Sequence, residues 1–141
     1  MLHVANVVDV LGLTGRSSSS PYTLISRIAE GLPTAAVERV AQLLAPNDAQ
    51  FKYRLIPKAT YERRKASARL SPDEGARLAR IARVWGMAID VWRSDEDARA
   101  FLFRPHAMLD DRQPIDLVIQ SEIGADLVFD VLGGLKYGSA A

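Results

Sequence analysis

Six side chains in one short stretch, Lys58, Thr60, Tyr61, Arg63, Arg64 and Lys65, carry the types and spacing that recognise a polyanion. Arginine forks onto guanine edges, while lysine, threonine and tyrosine commonly hold phosphate oxygens. They follow Pro57, which opens a helix at its first turn. Upstream, residues 47–66 read as a short helix, a tight turn at Leu55-Ile56, then this basic helix. That order is the one a helix-turn-helix needs to place its second helix in a major groove. The competing reading is a solvated basic face that only keeps the chain soluble.

Other chemistry finds little support in the residue types. The two histidines, His3 and His106, are far apart in sequence, and neither stands in a metal-ligand spacing. Asp110 and Asp111 imitate a carboxylate pair, but adjacent loop aspartates ordinarily serve turns and caps. Gly133-Gly134 is too short for a phosphate-cradling loop and sits inside a helical pattern. No catalytic residue, metal or cofactor is expected. The absence of cysteine excludes a disulfide scaffold and thiolate metal sites, and fits a reducing cytoplasm.

Over 141 residues the formal net charge is +1, an average that hides segregation. Residues 52–83 hold ten basic against three acidic side chains, net +7, whereas residues 84–141 are net −5 and residues 1–51 net −1. A basic middle is the electrostatic footprint of a nucleic-acid site. No apolar run is long enough to span a membrane, and the apolar start lacks a basic leader region, so no membrane partner is expected.

The elements around these residues read as helices. Residues 1–21 form an apolar arm and a Ser-rich flexible link, residues 15–21. Tyr22 to Glu30 is a helix with Leu24, Ile25 and Ile28 on one stripe, closed by Gly31. Pro33 opens the next, with Val37, Val40, Leu43 and Leu44 inward, and Pro46 stops it. Asn47 or Asp48 caps a short helix to Tyr53, with Phe51 facing inward. Ser71-Pro72-Asp73-Glu74 is a capping box, the clearest local signal in the chain. It predicts a helix from Pro72 to about Trp92 whose buried face includes Leu78, Ile81, Trp85, Ile89 and Trp92. Ser94 with three following acids starts a helix ending near Phe103. Pro114 starts a short helix to Ile119, where β-branched residues leave a strand open. Ser121-Glu122 starts the last helix, with Ile123, Leu127, Val128, Val131, Leu132 and Leu135 spaced for burial. The fold class is all-α.

Taken in order, Ile56-Pro57, Thr60, Arg63-Arg64-Lys65, Leu70 to Glu74, Arg77 to Val84, Val91-Trp92, Ser94 to Ala98, Phe101-Leu102, the Pro105 to Pro114 loop and Leu135-Lys136-Tyr137-Gly138 resemble the Xre/MbcA/ParS antitoxins. The resemblance covers about 85 residues, and residues 22–55 match more weakly. It implies an Xre-like helix-turn-helix DNA-binding region at 22–70 and a C-terminal toxin-binding domain at 71–141. The implied partners are promoter DNA and a RES-type toxin that consumes NAD. A homodimer and a larger toxin–antitoxin complex are implied as well, with no enzymatic activity of the chain itself. Leu135, Lys136, Tyr137 and Gly138 then become the toxin-binding segment. Lys136 would pair with a carboxylate of the toxin, and Gly133-Gly134 would loosen the last turn. Two aspartates, Asp110 and Asp111, stand in a loop where many relatives carry glycines. Two alternatives stay open: a stand-alone regulator or partition protein using the same DNA helix, and a helical interaction protein that binds no DNA.

Overall fold

The structure is a computed structural model that describes residues 4–13 and 20–138. Nine α-helices and one 3-10 turn are laid down among the described residues, and two isolated bridges, Pro33–Arg69 and His106–Arg112, are the only strand-like pairings there. The ambiguous stretch after Pro114 is helical. The all-α expectation holds, because cap signals and 3.6-residue periodicity agree along nearly every segment.

The spine is α6, Pro72–Trp92. Its start follows the sequence logic closely. Ser71 Oγ accepts from the Glu74 N–H at 3.2 Å, and Glu74 Oε1 accepts from the Ser71 N–H at 2.7 Å. Two otherwise orphaned donors are thereby satisfied. Around α6 pack α1 (Val4–Leu11), α2 (Pro21–Glu30), α3 (Ala35–Leu44), α7 (Asp95–Phe103), α8 (Pro114–Gln120) and α9 (Glu122–Tyr137). Leu78, Ile81, Ala82, Trp85 and Ala88 of α6 enter a single core shared with Val37, Val40, Leu44, Phe51, Leu102, Ile115, Val128 and Leu132.

Three expectations are corrected by this packing. The apolar start is no arm: α1 lies against α6 and α3, and Val7 and Leu11 are fully buried. Most of the expected flexible link at 15–21, namely residues 15–19, lies outside the described residues. Trp85 is buried but Trp92, one heptad later, is 36% exposed, since α6 outruns the core at its C-terminal end. On α9, Ile123 (74% exposed), Leu127 and Leu135 face solvent while Val128, Val131 and Leu132 are buried. Beside a polar stripe of Glu122, Asp126 and Asp130, the last helix is apolar over a wider arc than the core covers, so periodicity could not say where burial would end.

Two close approaches fix the C-terminal half. A Cβ at Gly124 would stand 2.0 Å from the Leu117 carbonyl oxygen, so only glycine lets α9 turn this tightly off α8. Arg80, a buried charged residue, reaches across from α6 to cap α8. Its Nε and Nη2 donate to the carbonyls of Val118 at 2.6 Å and Ile119 at 2.7 Å. A cation at a helix C-terminus satisfies orphaned carbonyls and opposes the dipole. Further on, Asp110 and Asp111 both adopt left-handed backbone, φ 57° and 56°. The loop therefore keeps the conformation that glycines would favour, with aspartate, which tolerates that region better than most residues.

Candidate nucleic-acid interface and partner-binding face

Two short helices form the helix-turn-helix candidate: α4 (Lys52–Leu55) and α5 (Lys58–Ser67), joined by extended Ile56 and Pro57. The turn is held from beneath. Leu55 and Ile56 are buried, and Arg77 of α6 donates to the Leu55 carbonyl at 2.7 Å. At the far end, Ala68 takes a left-handed cap at φ 62°. The strand-like link after it then pairs with the α2–α3 link, Leu70 N–H donating to the Leu32 carbonyl at 2.8 Å. Both ends of α5 are thus pinned, and among the described residues no other helix packs extensively along it.

A three-helix clamp sets how α5 rolls. Glu38 of α3 accepts on one oxygen from Lys52 Nζ at 2.7 Å and from the Tyr61 hydroxyl at 2.7 Å. Those two donors hold the Glu38 carboxyl below its ordinary pKa. Burial and the bond to Glu38 together push the Tyr61 phenol well above its ordinary value. Tyr53 meets Tyr61 edge-on with ring centroids 6.1 Å apart, and Lys52 lies over both rings.

That clamp divides the six sequence-predicted DNA residues. Lys58, Arg63 and Lys65 are exposed on α5, and Thr60 is half-buried beside Arg63. Tyr61, grouped by its type with the polyanion-recognising residues, is 4% exposed, so its ring is core and its hydroxyl is committed to Glu38. Arg64 is half-buried and donates through Nε to Glu74 Oε1 at 2.9 Å, tying α5 to the cap of α6. Burial works against the Glu74 charge, but the Ser71 and Arg64 donors outweigh it and hold its pKa low.

The basic block is smaller at the surface than in the sequence. Lys52 pairs with Glu38 and Arg54 with Asp116 of α8. Arg69 donates to the Gly31 carbonyl, Arg77 to Leu55, and Arg80 to α8. Arg83 lies over the Phe129 ring. Arginine tied to a carbonyl still contributes its field, but it cannot also swing out to a phosphate. Composition counts charges; it does not reveal which of them brace helices.

The second candidate face is the end of α9. Leu135 (47% exposed) and Tyr137 (78%) are open to solvent, and Gly138 closes the helix at φ 72°. Lys136 pairs with Asp90 of α6 in its own chain. The helix runs through Gly133 and Gly134 to Tyr137. A Cβ at either glycine would meet nothing within 4 Å. Two helix-interior glycines each cost about 1 kcal/mol relative to alanine; among the described residues no close neighbour requires them.

His106 is not a free loop imidazole. Its Nδ1 accepts from the Met108 N–H at 3.2 Å, and its ring stands edge-on to Phe101 at 5.8 Å. Among the described residues no three His, Cys, Asp or Glu side chains are grouped to hold a metal, and no helix is long and apolar enough to cross a membrane.

Comparison with known proteins matches this architecture. Residues 23–83 match the family described as the antitoxin Xre-like helix-turn-helix domain. Residues 87–138 match the antitoxin Xre/MbcA/ParS C-terminal toxin-binding domain. The chain is 34% identical over 85 residues to Antitoxin Xre of Yersinia enterocolitica, covering 59% of this chain and 57% of that protein. It is 29% identical over 125 residues to Antitoxin Xre of Photorhabdus laumondii, covering 86% of this chain and 83% of that one.

Proposed function

The chain belongs to the Xre-type antitoxins, and from that premise we propose that it binds its own promoter through α5 and neutralises a partner toxin through its C-terminal domain. The observation that carries the reading is the order of two exposed surfaces along the chain. Lys58, Arg63 and Lys65 lie on α5 within the helix-turn-helix match. Leu135 and Tyr137 lie at the end of the toxin-binding match. The proposed division at 22–70 and 71–141 falls in the α5–α6 link; the helix-turn-helix match runs on into α6, which packs against α2 and α3 as well as α8 and α9.

On this reading Lys58, Thr60, Arg63 and Lys65 contact DNA, while Tyr61 and Arg64 position the helix that carries them. Leu135, Lys136, Tyr137 and Gly138 contact the toxin, with Tyr137 as a rigid aromatic anchor. The toxin is of the RES type and consumes NAD. Its cleft must accommodate two phosphates, so an acidic C-terminal third (residues 84–141, net −5) is attracted to its rim. The chain works in the cytoplasm as a homodimer inside a larger complex, and performs no catalysis.

The test is co-expression with the gene product encoded beside it. Growth rescue, co-purification and a promoter mobility shift are expected together. A promoter shift without co-purification or rescue would instead favour a stand-alone regulator. If no shift appears at low salt, α5 is not a DNA helix.

A further inference from the structure

We propose that the outer face of α9, along Ile123, Leu127 and Gly134, is a seat for the body of the partner toxin, separate from the end segment Leu135–Gly138. The seat rests on the toxin-binding reading above and divides the work of that domain: α9 holds the toxin, and the end segment blocks it. Helix α9 packs on α8 and α6 and buries Gly124, Ala125, Val128, Val131 and Leu132. Half a turn away it exposes Ile123 (74%) and Leu127 (46%). At 3.6 residues per turn, Ile123, Leu127, Asp130 and Gly134 fall within about 60° of arc, on the side opposite the buried residues. One edge of this stripe is acidic, because Asp126 and Asp130 are exposed one turn apart.

Three unrelated penalties fall on this one side of one helix. Ile123 and Leu127 leave apolar area in water. Asp126 and Asp130 are like charges at i, i+4, which repel. Gly133 and Gly134 forgo helix propensity where a Cβ would meet nothing within 4 Å. A partner reverses all three. It covers the apolar pair, brings cations to the carboxylates, and uses the missing Cβ of Gly134 for a close backbone approach. The occupant follows from place and charge. All of α9 lies within residues 87–138, the match to the toxin-binding domain, and the same side of the helix runs on to Tyr137, which is 78% exposed. Sixteen residues make a helix about 24 Å long, so one rigid element carries both the seat and the end segment. A second copy of this face would set four carboxylates together in a small contact, and DNA would meet the same charges with its phosphates. The toxin surface that fits is an apolar groove with lysine or arginine along one rim.

The probe is the gene product encoded beside this chain. Deleting residues 135–141 is expected to abolish growth rescue while the shortened chain still co-purifies with that product. Ile123→Asp with Leu127→Asp should keep the thermal midpoint near that of wild type, because both side chains are exposed, and should still shift promoter DNA. Its affinity for the toxin should fall by about tenfold or more. Gly134→Lys places its side chain in open space within this chain, so it tests the same face if the two aspartates unsettle α9, and it should weaken binding likewise. Asp126→Asn with Asp130→Asn should slow association and make it less sensitive to salt. If both the I123D/L127D chain and G134K bind the toxin as wild type does, something else covers this face: the proposal is overturned and the antitoxin reading stands. Loss of co-purification on deleting 135–141 overturns it too, because the end segment then holds the toxin alone. If the wild-type chain neither co-purifies nor rescues, the toxin-binding reading itself fails, and the seat with it.

Discussion

The Tyr61 hydroxyl donates to Glu38 Oε1 at 2.7 Å, a bond that turns one of the six polar residues of the basic helix into its keel. With Tyr61 facing α3, Lys58, Arg63 and Lys65 are left on the outer side. Tyr61→Phe removes the bond and leaves Glu38 to Lys52 alone. The expected loss is about 1–3 kcal/mol, as for a hydrogen bond to a charged group. It is read by urea unfolding, and promoter affinity should fall with it because α5 can roll. Promoter affinity unchanged in a destabilised Y61F would uncouple the clamp from recognition.

Lys58, Arg63 and Lys65 are exposed cations, so replacing all three with alanine is expected to leave the thermal midpoint within a degree or two. The plot of log affinity against log salt should become shallower by about 0.9 for each phosphate that is no longer neutralised. Arg64→Ala is expected to behave differently, because Arg64 braces Glu74. It should lower stability and weaken DNA binding together. A full salt slope in the triple variant would move the interface away from α5.

Acid should loosen the molecule through two carboxylates. Glu38 and Glu74 both have pKa values lowered in the folded chain from an ordinary 4.5. Their contribution is therefore complete above that value and is lost as pH falls through the lower folded values. Glu38→Gln with Glu74→Gln should flatten the stability profile between neutral pH and about pH 3, while lowering stability at pH 7. A profile as steep as wild type in the double variant would place acid sensitivity elsewhere.

The two tryptophans separate by burial. Trp85 is 4% exposed, with the Arg99 guanidinium 5.6 Å above its ring. Trp85→Ala should cost about 3–5 kcal/mol. Trp92 lies at the rim, tilted on Phe101 at 5.9 Å, and Trp92→Ala should cost clearly less. Equal losses would show that the end of α6 is as well packed as its middle.

Gly133→Ala and Gly134→Ala are expected to raise stability by up to about 1 kcal/mol each, since a helix gains from alanine and each Cβ enters open space. The same changes should weaken toxin binding if a partner backbone approaches there. More stable variants that neutralise fully would leave the glycines without a role. Gly124→Ala is the internal contrast. Its Cβ would overlap the Leu117 carbonyl, and the change should be destabilising.

Deleting residues 135–141 is expected to leave a folded chain that still shifts promoter DNA. It removes one exposed ion pair, Lys136–Asp90, and such pairs contribute about 0–1 kcal/mol. The truncated chain should fail to rescue cells from the toxin. Full rescue would shift neutralisation to the helical body or to assembly.

Much of this was legible from residues alone, because local chemistry decided it. Ser71, Pro72 and Glu74 determine where α6 begins, and Gly31, Pro57 and Pro114 punctuate the chain as their backbones require. The position of the basic helix was equally readable, and so was the family. What the sequence could not determine is direction. Tyr61 and Lys58 are both polar residues of α5, and only the presence of Glu38 on α3 turns one inward. Ile123 and Val128 are equally apolar, yet one is 74% exposed and the other buried, because α8 and α6 occupy one side of α9 only. Charge counting placed ten cations in the middle of the chain. Tertiary contacts alone decided that Arg77 and Arg80 would hold carbonyls from Leu55 and Val118, 22 and 38 positions away. Caps and periods act over one helical turn, whereas burial and pairing are set by whichever surface the rest of the fold brings alongside.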